Sequence, residues 1–497
     1  VTDGRIRLAE VLAALSIATD LGLGQPAGHA ARTCLLAMRL ARALGVGGAE
    51  LSDVYYVSLL RYIGCTADAF EVAALAGDEI GIAAAVGPAV MGEPAEEAAA
   101  VALPGGNAAK AVVMATHCEA AELLAGRLGL GAGVLTALRH GFERWDGRGN
   151  PAGLAAEAVP LPVRVAVVAR DAELWHRRAG YAATAEVLRH RRGRAYDPAV
   201  VDAILGGGEP MLAGTAVPPW EEVLAAEPAP VHIGGDRLDT LLAVAADFAD
   251  LKIPYALGHS RQVARLAEAA ARDAGLGDEC AVRLRRAGLL HDLGRTGISN
   301  VVWDQSRPLS ADEWERVRLH PYLTERILER TALLRPLARL AGAHHERLDG
   351  GGYHRGSPGS ALGMAERVLA AADCYQAMLQ QRPHRRARTP AEAARELAAE
   401  VADGRLDPRA AAAVTAAAGQ TSVRLPSRWP GGLTDREVDV LRLACRGLSK
   451  PQVAQALCIS VKTVGRHLEN SYAKIGVSSR AGAALYAVHH GLLGETG

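Results

Sequence analysis

GHSRQVARLAEAAARD (258–273), LLHDLGRT (289–296), LHPYLTE (319–325), AGAHHERLDGGGYH (341–354) and AADCYQ (371–376) decide the fold, because together they carry seven potential metal ligands. These are His259, the pair His291 and Asp292, His320, the pair His344 and His345, and Asp373. Successive groups lie 32, 29, 24 and 28 residues apart. Each step is about one helix plus a connection, so an all-helical bundle can aim every ligand at one centre. All five segments read as helical; Val263, Leu266 and Ala270 mark an apolar stripe on the helix that should contain His259. Neutral imidazole and carboxylate suit Mn, Fe, Zn or a similar divalent ion, with Fe or Mn favoured, and an aspartate between two such ions can bridge them.

A chain of 497 residues has room for three or four domains, each with its own core. Aromatic residues make up only 4% while Ala, Leu, Val and Arg dominate, which favours helix over sheet. The formal charge is zero, so any case for nucleic-acid binding must be local. Arginine far outnumbers lysine in an Ala- and Gly-rich chain, a pattern read as coding bias. The seven cysteines (34, 65, 118, 280, 374, 445, 458) show no paired spacing, which points to reduced thiols in a cytoplasm. No run of 18 apolar residues predicts a membrane span, and the start, with Asp3, Arg5 and Arg7, does not read as a signal peptide.

Residues 1–205 repeat the metal-bearing part. At an offset of 230, Arg7-Leu8 matches Arg237-Leu238, Asp20-Leu21 matches Asp250-Leu251, Gly28-His29 matches Gly258-His259, and LLRYIGCT (59–66) matches LLHDLGRT (289–296). Later, HGFERWDGRGNP (140–151) tracks AHHERLDGGGYH (343–354), and YDPAVV (196–201) tracks LDPRAA (406–411). A period this long means duplicated domains. The first copy has lost ligands: Arg61-Tyr62 stand for His291-Asp292, and Gly141-Phe142 for His344-His345. His29, His117 and Asp171 remain, with Arg61 a fixed charge where a cation would sit. The first copy is therefore expected to be catalytically dead, serving for packing or for binding a small effector. The Gly- and Pro-rich stretch 206–235 reads as a linker with one short helix at Trp220–Ala226.

HDLGR (291–295), HP (320–321) and HHERLDGGGY (344–353) resemble the motifs of the HD-GYP subfamily of HD-domain phosphohydrolases, over roughly residues 235–420. The resemblance implies an all-helical, metal-dependent phosphodiesterase that hydrolyses cyclic di-GMP or a related cyclic dinucleotide. A glutamate that holds a third metal in that subfamily is Tyr255 here, so two divalent ions are implied. His259, His291 and Asp373 would hold one, His320, His344 and His345 the other, and Asp292 would bridge. In-line attack of hydroxide on phosphorus would follow, with Asp292 and Arg295 as catalytic residues. Arg382 and Arg385 stand where the subfamily contacts phosphate, and Tyr353 completes the implied substrate site. Arg295 replaces a lysine of the motif and His354 replaces the proline of its GYP triplet, which places substrate identity and turnover in question.

After a linker at 419–432, residues 433–493 resemble the helix-turn-helix module of LuxR-type regulators. Thr434 and Glu437 have the spacing of a capping box, and Ser460 should cap the recognition helix. Val453, Ala454 and Leu457 give the apolar face of the scaffold helix, and Val464 and Leu468 point inward from the next. That leaves Lys462, Thr463, Arg466, His467 and Asn470 for a major groove and Lys474 for a phosphate. Residues 433–497 carry eight Lys/Arg against five Asp/Glu, a local +3. Such modules read paired half-sites, so a homodimer on DNA is expected.

The expectation is an all-α chain: a degenerate HD-GYP-like pseudo-domain at 1–225, a phosphohydrolase domain at 235–420 and a four-helix DNA-binding domain at 433–497. Two functions compete. In one, hydrolysis of a cyclic dinucleotide is coupled to transcription; in the other, nucleotide or metal occupancy changes dimer geometry and DNA affinity without turnover.

Overall fold

Alanine, leucine and arginine are strong helix formers, and helix dominates the backbone they make. A computed structural model describes residues 6–86, 106–214, 220–419, 429–457 and 459–493. Cys458, Asp3 and Arg5, and most of the 419–432 linker, lie outside them. The chain divides into two compact units, Val1–Leu241 with Arg330–Leu333, and Leu242–Glu329 with Leu334–Gly497.

The first unit runs through helices Leu8–Gly22, His29–Ala43, Gly48–Leu60, Cys65–Ala76, Glu79–Val86, Gly106–Leu128, Ala132–Arg139, Leu161–Arg191, Pro198–Leu212 and Trp220–Ala225. Helix Gly235–Leu251 leads into the second unit. There the bundle His259–Asp273, Asp278–Leu290, Asn300–Trp303, Ala311–Arg318, His320–Leu328, Arg335–Gly342, Met364–Met378, Pro390–Ala402 and Pro408–Gly419 is followed by Asp435–Cys445, Lys450–Leu457, Val461–Ile475 and Arg480–His489. Among the described residues the sole sheet pairs Ile6–Arg7 antiparallel with His232–Ile233.

The repeat seen in the sequence recurs bond by bond. Asp20 accepts the backbone N–H groups of Gly28 and Ala30, as Asp250 accepts that of Ser260. Glu143 accepts from Ala152 and Leu154, and Glu346 from Arg355 and Ser357, which closes the same Gly-rich loop in each. Arg164 pairs with Asp197 at 2.7 Å and Arg367 with Asp407 at 2.8 Å, each aspartate also holding the first turn of the helix that follows it. These bonds are local or link neighbouring helices, so they survive where the ligands do not.

Two expectations need correction. The 206–235 stretch is not all linker: helix Pro198–Leu212 continues into it, breaking only at Gly208 (φ 61°), and His232–Ile233 is a strand. The two ligand pairs are not on helices. His291 and Asp292 follow the end of Asp278–Leu290, and His344 and His345 follow the end of Arg335–Gly342. Helix ends offer free carbonyls that mid-helix positions lack, and the site uses them.

Close backbone approach fixes where these turns sit. A Cβ on Gly294 would lie 2.0 Å from the His320 carbonyl oxygen, and one on Gly64 would lie 2.1 Å from that of His117. Both contacts are with backbone, which cannot swing aside. Gly64→Ala and Gly294→Ala should each destabilise their unit by about 1–3 kcal/mol in denaturant titrations. Only Gly294→Ala should also lower the metal retained by the purified chain; equal metal loss in both would contradict the assignment of ligands to the second copy.

Candidate metal centre

Three imidazoles are oriented by one recurring bond. His291, His320 and His344 each donate Nδ1–H to the carbonyl three residues earlier, on Gly288, Val317 and Ala341, at 2.7, 2.6 and 2.7 Å. That orients each ring and turns Nε2 inward, where it is a lone pair whenever the imidazole is neutral. Gly288 contributes twice, because a Cβ there would lie 2.7 Å from Cα of Ala264 and push its helix away from the one bearing His259.

The inward atoms converge. His259, His291 and Asp373 bring ligand atoms within 4.8 Å of one another, as do His320, His344 and His345, and His291, Asp292 and His344 link the two groups. Nε2 of His259 lies 3.0 Å from Asp373 Oδ1 and 3.5 Å from Asp292 Oδ2. The other carboxylate oxygen of Asp292 lies 3.5 Å from Nε2 of both His320 and His344. All seven sequence-predicted ligands are thus in one place, with Asp292 between two trios.

Charge is poised for cations. Burial opposes ionisation of Asp292, yet Arg295, His291 and His344 outweigh it and hold the carboxyl well below its ordinary range. Asp373 is lowered in the same way, against burial, by His345, His259 and His291. Burial pushes His259 down to about 4, and burial with the neighbouring His344 lowers His320 and His345. His291 is the exception: the two carboxylates overcome burial and push it up to about 10. Oδ1 of Asp292 and Oδ2 of Asp373 are buried without a hydrogen-bond partner, while Oδ2 of Asp292 has Arg295 and His291 at ion-pair distance. Orphaned polar atoms this deep are costly unless something binds them, and neutral imidazoles with ionised carboxylates are what divalent transition metals take. The residues therefore fit a metal centre.

Two cations flank it. Arg295 Nη1 lies 2.8 Å from Asp292 Oδ2, its guanidinium 5.5 Å from the Trp303 ring centre. Arg382 lies 5.3 Å over the ring of Tyr255, whose hydroxyl donates to the Trp303 carbonyl at 2.7 Å. Nε of both arginines is buried without a hydrogen-bond partner. Arg385 is different: it donates to the carbonyls of Ala377, Met378 and Gln380, closing a helix end, so the expected phosphate contact does not follow from its geometry. Tyr353 packs against His345 with ring centres 4.4 Å apart. His354, at the proline position of the motif, adopts φ 23°, which proline could not.

Comparison with known proteins places the centre within a known domain. The family model described as "HD domain" matches residues 243–410, and that described as "Bacterial regulatory proteins, luxR family" matches 432–487. Residues 243–410 are an HD domain and 432–487 a luxR-family regulatory module. It is 29% identical over 411 residues to 3'3'-cGAMP-specific phosphodiesterase 3 of Vibrio cholerae, covering 78% of this chain and 89% of the relative, too long a match to fall within one copy. It is 31% identical to the cyclic di-GMP phosphodiesterase of Thermotoga maritima, over 28% of this chain and 38% of that one. A crystal structure of a cyclic GMP-AMP-specific phosphodiesterase of V. cholerae matches with a TM-score of 0.60 at 26% identity, covering 85% of this chain and 99% of the other.

In the first copy the corresponding groups are already satisfied. His29 Nδ1 meets Glu173; His117 bonds Asp68 at 2.8 Å through Nδ1 and the Arg61 carbonyl at 3.2 Å through Nε2; Asp171 accepts from Tyr196 and Arg170. Arg61 donates to the carbonyl of Gly141 and lies about 5 Å from the rings of Tyr62 (4.9 Å) and Phe142 (5.1 Å). A guanidinium in an aromatic box stands where the second copy has His291, Asp292, His344 and His345. Sequence reasoning missed Glu173, which carries no local signal.

In the luxR-family module, Thr434 and Glu437 form the capping box and Ser460 caps Val461–Ile475. Val453, Ala454, Val464 and Leu468 are buried in one cluster, with Leu457 partly buried against it. Lys462, Arg466 and Asn470 are exposed, and Thr463 and His467 half-buried, on the same helix. Lys474 is engaged internally, 2.7 Å from Glu437. Nothing in the structure explains glycine at 465.

Elemental analysis of the purified chain should find about two transition-metal ions, and His344→Ala should reduce that number. A full complement in the variant would place the metals elsewhere.

Proposed function

We propose that this chain is a metal-dependent phosphodiesterase acting on a cyclic dinucleotide such as cyclic di-GMP or 3'3'-cGAMP, coupled to sequence-specific DNA binding. One observation carries the reading: seven ligand side chains meet in a buried centre flanked by two guanidiniums with unused donors. Relatives named as phosphodiesterases of those two nucleotides support the substrate class.

His259, His291 and Asp373 would hold one ion and His320, His344 and His345 the other, with Asp292 between them. Bound divalent ions supply Lewis acidity and water activated at neutral pH. The chain's own groups do the rest. Asp292 and Asp373, kept ionised, hold positive charge at the reacting phosphate. Arg295 and Arg382 offer planar N–H donors to phosphate oxygens, which suits a substrate with two phosphodiester anions. Of the seven ligands only the His345 side chain has appreciable exposure (17%), so substrate enters over His345 and Tyr353 and bulk water is excluded elsewhere.

The first copy is a metal-free partner fold whose site Arg61 fills. The C-terminal module would read paired half-sites as a homodimer in the cytoplasm, Arg466 facing base edges. The alternative, a nucleotide sensor without turnover, is favoured by Arg295 and His354 standing where the motif has lysine and proline.

Incubating the metal-loaded chain with a panel of cyclic dinucleotides separates the two. Hydrolysis by the wild type, abolished in a folded Asp292→Ala variant, is expected; binding without hydrolysis would establish the sensor, and unchanged turnover in the variant would move the centre. Arg466→Ala should weaken DNA binding by about 1–3 kcal/mol in a titration at fixed salt; unaltered binding would mean another surface reads DNA.

A further inference from the structure

The mouth of the centre carries an aromatic feature that neither metal binding nor phosphate binding explains. Trp314 lies on the helix Ala311–Arg318 and is 42% exposed, unusual for an indole with no partner to cover it. It is not loosely placed. Ser310 and Glu313 form a reciprocal capping box at the start of its helix, and Arg307 clamps Glu313 from outside. One turn on, Val317 is buried with Ile298 and Val302, and Tyr353 packs against that same cluster. Trp314 and Tyr353 meet edge to face with ring centres 6.2 Å apart.

From the metal ligands outward, the rings form a series. Tyr353 lies 4.4 Å from His345 and 6.0 Å from His320, and Trp314 stands one ring further out. The first step is where a phosphate would be held; the second is where the base of the same nucleotide would fall. Resting on the phosphodiesterase reading above, we propose that the indole of Trp314, braced edge to face by Tyr353, is a ledge on which one purine of the cyclic dinucleotide stacks, making Trp314 a specificity residue of this site. An indole has the largest π-face of any side chain, and its fixed backbone removes most of the ordering cost of stacking. Base–aromatic stacking tolerates either purine, so the ledge favours purine dinucleotides as a class without choosing guanine over adenine.

The test uses the full-length chain in manganese-containing buffer and two probes that carry no phosphodiester bond, GMP and ribose 5-phosphate, with affinities measured by calorimetry. The wild type should bind GMP about tenfold or more tighter than ribose 5-phosphate. Trp314→Ala should bring GMP down to the affinity of ribose 5-phosphate, and Trp314→Phe should recover most of the difference. Equal GMP affinity in the wild type and Trp314→Ala would overturn the ledge while leaving the phosphodiesterase reading intact. If the wild type bound neither probe, the substrate reading itself would fall, and the ledge with it. A change in oligomeric state in Trp314→Ala with GMP affinity unchanged would reassign the indole to an interface between copies. Because the indole is exposed, the variant should keep the wild-type melting temperature, so that loss of affinity is not loss of fold.

Discussion

Everything at the centre depends on helix ends supplying acceptors. A helix leaves its last carbonyls without intrahelical partners. Here Gly288, Val317 and Ala341 present such carbonyls, and each takes Nδ1–H from a histidine three residues on. The bond satisfies an acceptor that burial would otherwise penalise, orients the ring, and points Nε2 away from the helix that supplies it. Three helix ends obeying one rule need only to face one another for their imidazoles to share a pocket. Gly294, against the His320 carbonyl, and Gly288, against the backbone of Ala264, allow the approach that makes them face one another.

The charge around the pocket follows from that geometry. Two carboxylates, Asp292 and Asp373, sit among buried imidazoles, and an isolated carboxylate at such depth would protonate. They remain ionised because Arg295 and the histidines are close. Arg295 is in turn steadied by Trp303, whose carbonyl anchors Tyr255, and Tyr255 underlies Arg382. Tyr255 stands where the motif has a metal-binding glutamate. The substitution exchanges a carboxylate for an aromatic platform under a guanidinium, so this side of the pocket carries positive charge where the motif has negative.

What the sequence disclosed was local or periodic. That the seven histidines and aspartates converge was legible from residue type and spacing, and the capping box at Thr434 is signalled within four residues of chain. The duplication was legible because loop-closing residues such as Glu143 and Glu346 keep their register. Long-range partners were not legible. Glu173 takes His29 across 144 residues, and Lys474 is drawn to Glu437 across 37; neither carries a pattern in the chain. Arg385 belongs to the same class: a basic loop suggests phosphate, but only coordinates reveal that its donors close a helix end. The five ligand segments were read as helical because apolar periodicity runs up to each ligand, and periodicity does not mark the residue where a helix stops.

The first copy shows what the scaffold itself requires. Its helices, loop and glycine contacts match those of the second, yet its bridging aspartate has become Tyr62 and two histidines have become Gly141 and Phe142. What replaces the ligands is still cationic: Arg61, held by the Gly141 carbonyl and boxed by Tyr62 and Phe142. Each surviving ligand has found a protein partner. The pattern is one of substitution in step, since losing the aspartate alone would have left the remaining groups unmatched, and gaining Arg61 alone would have set a guanidinium against histidines. The second copy keeps inward-facing imidazole and carboxylate atoms where the first has closed its own with Glu173, Asp68, Tyr196 and Arg170, and such a donor set is what a metal-dependent phosphohydrolase requires.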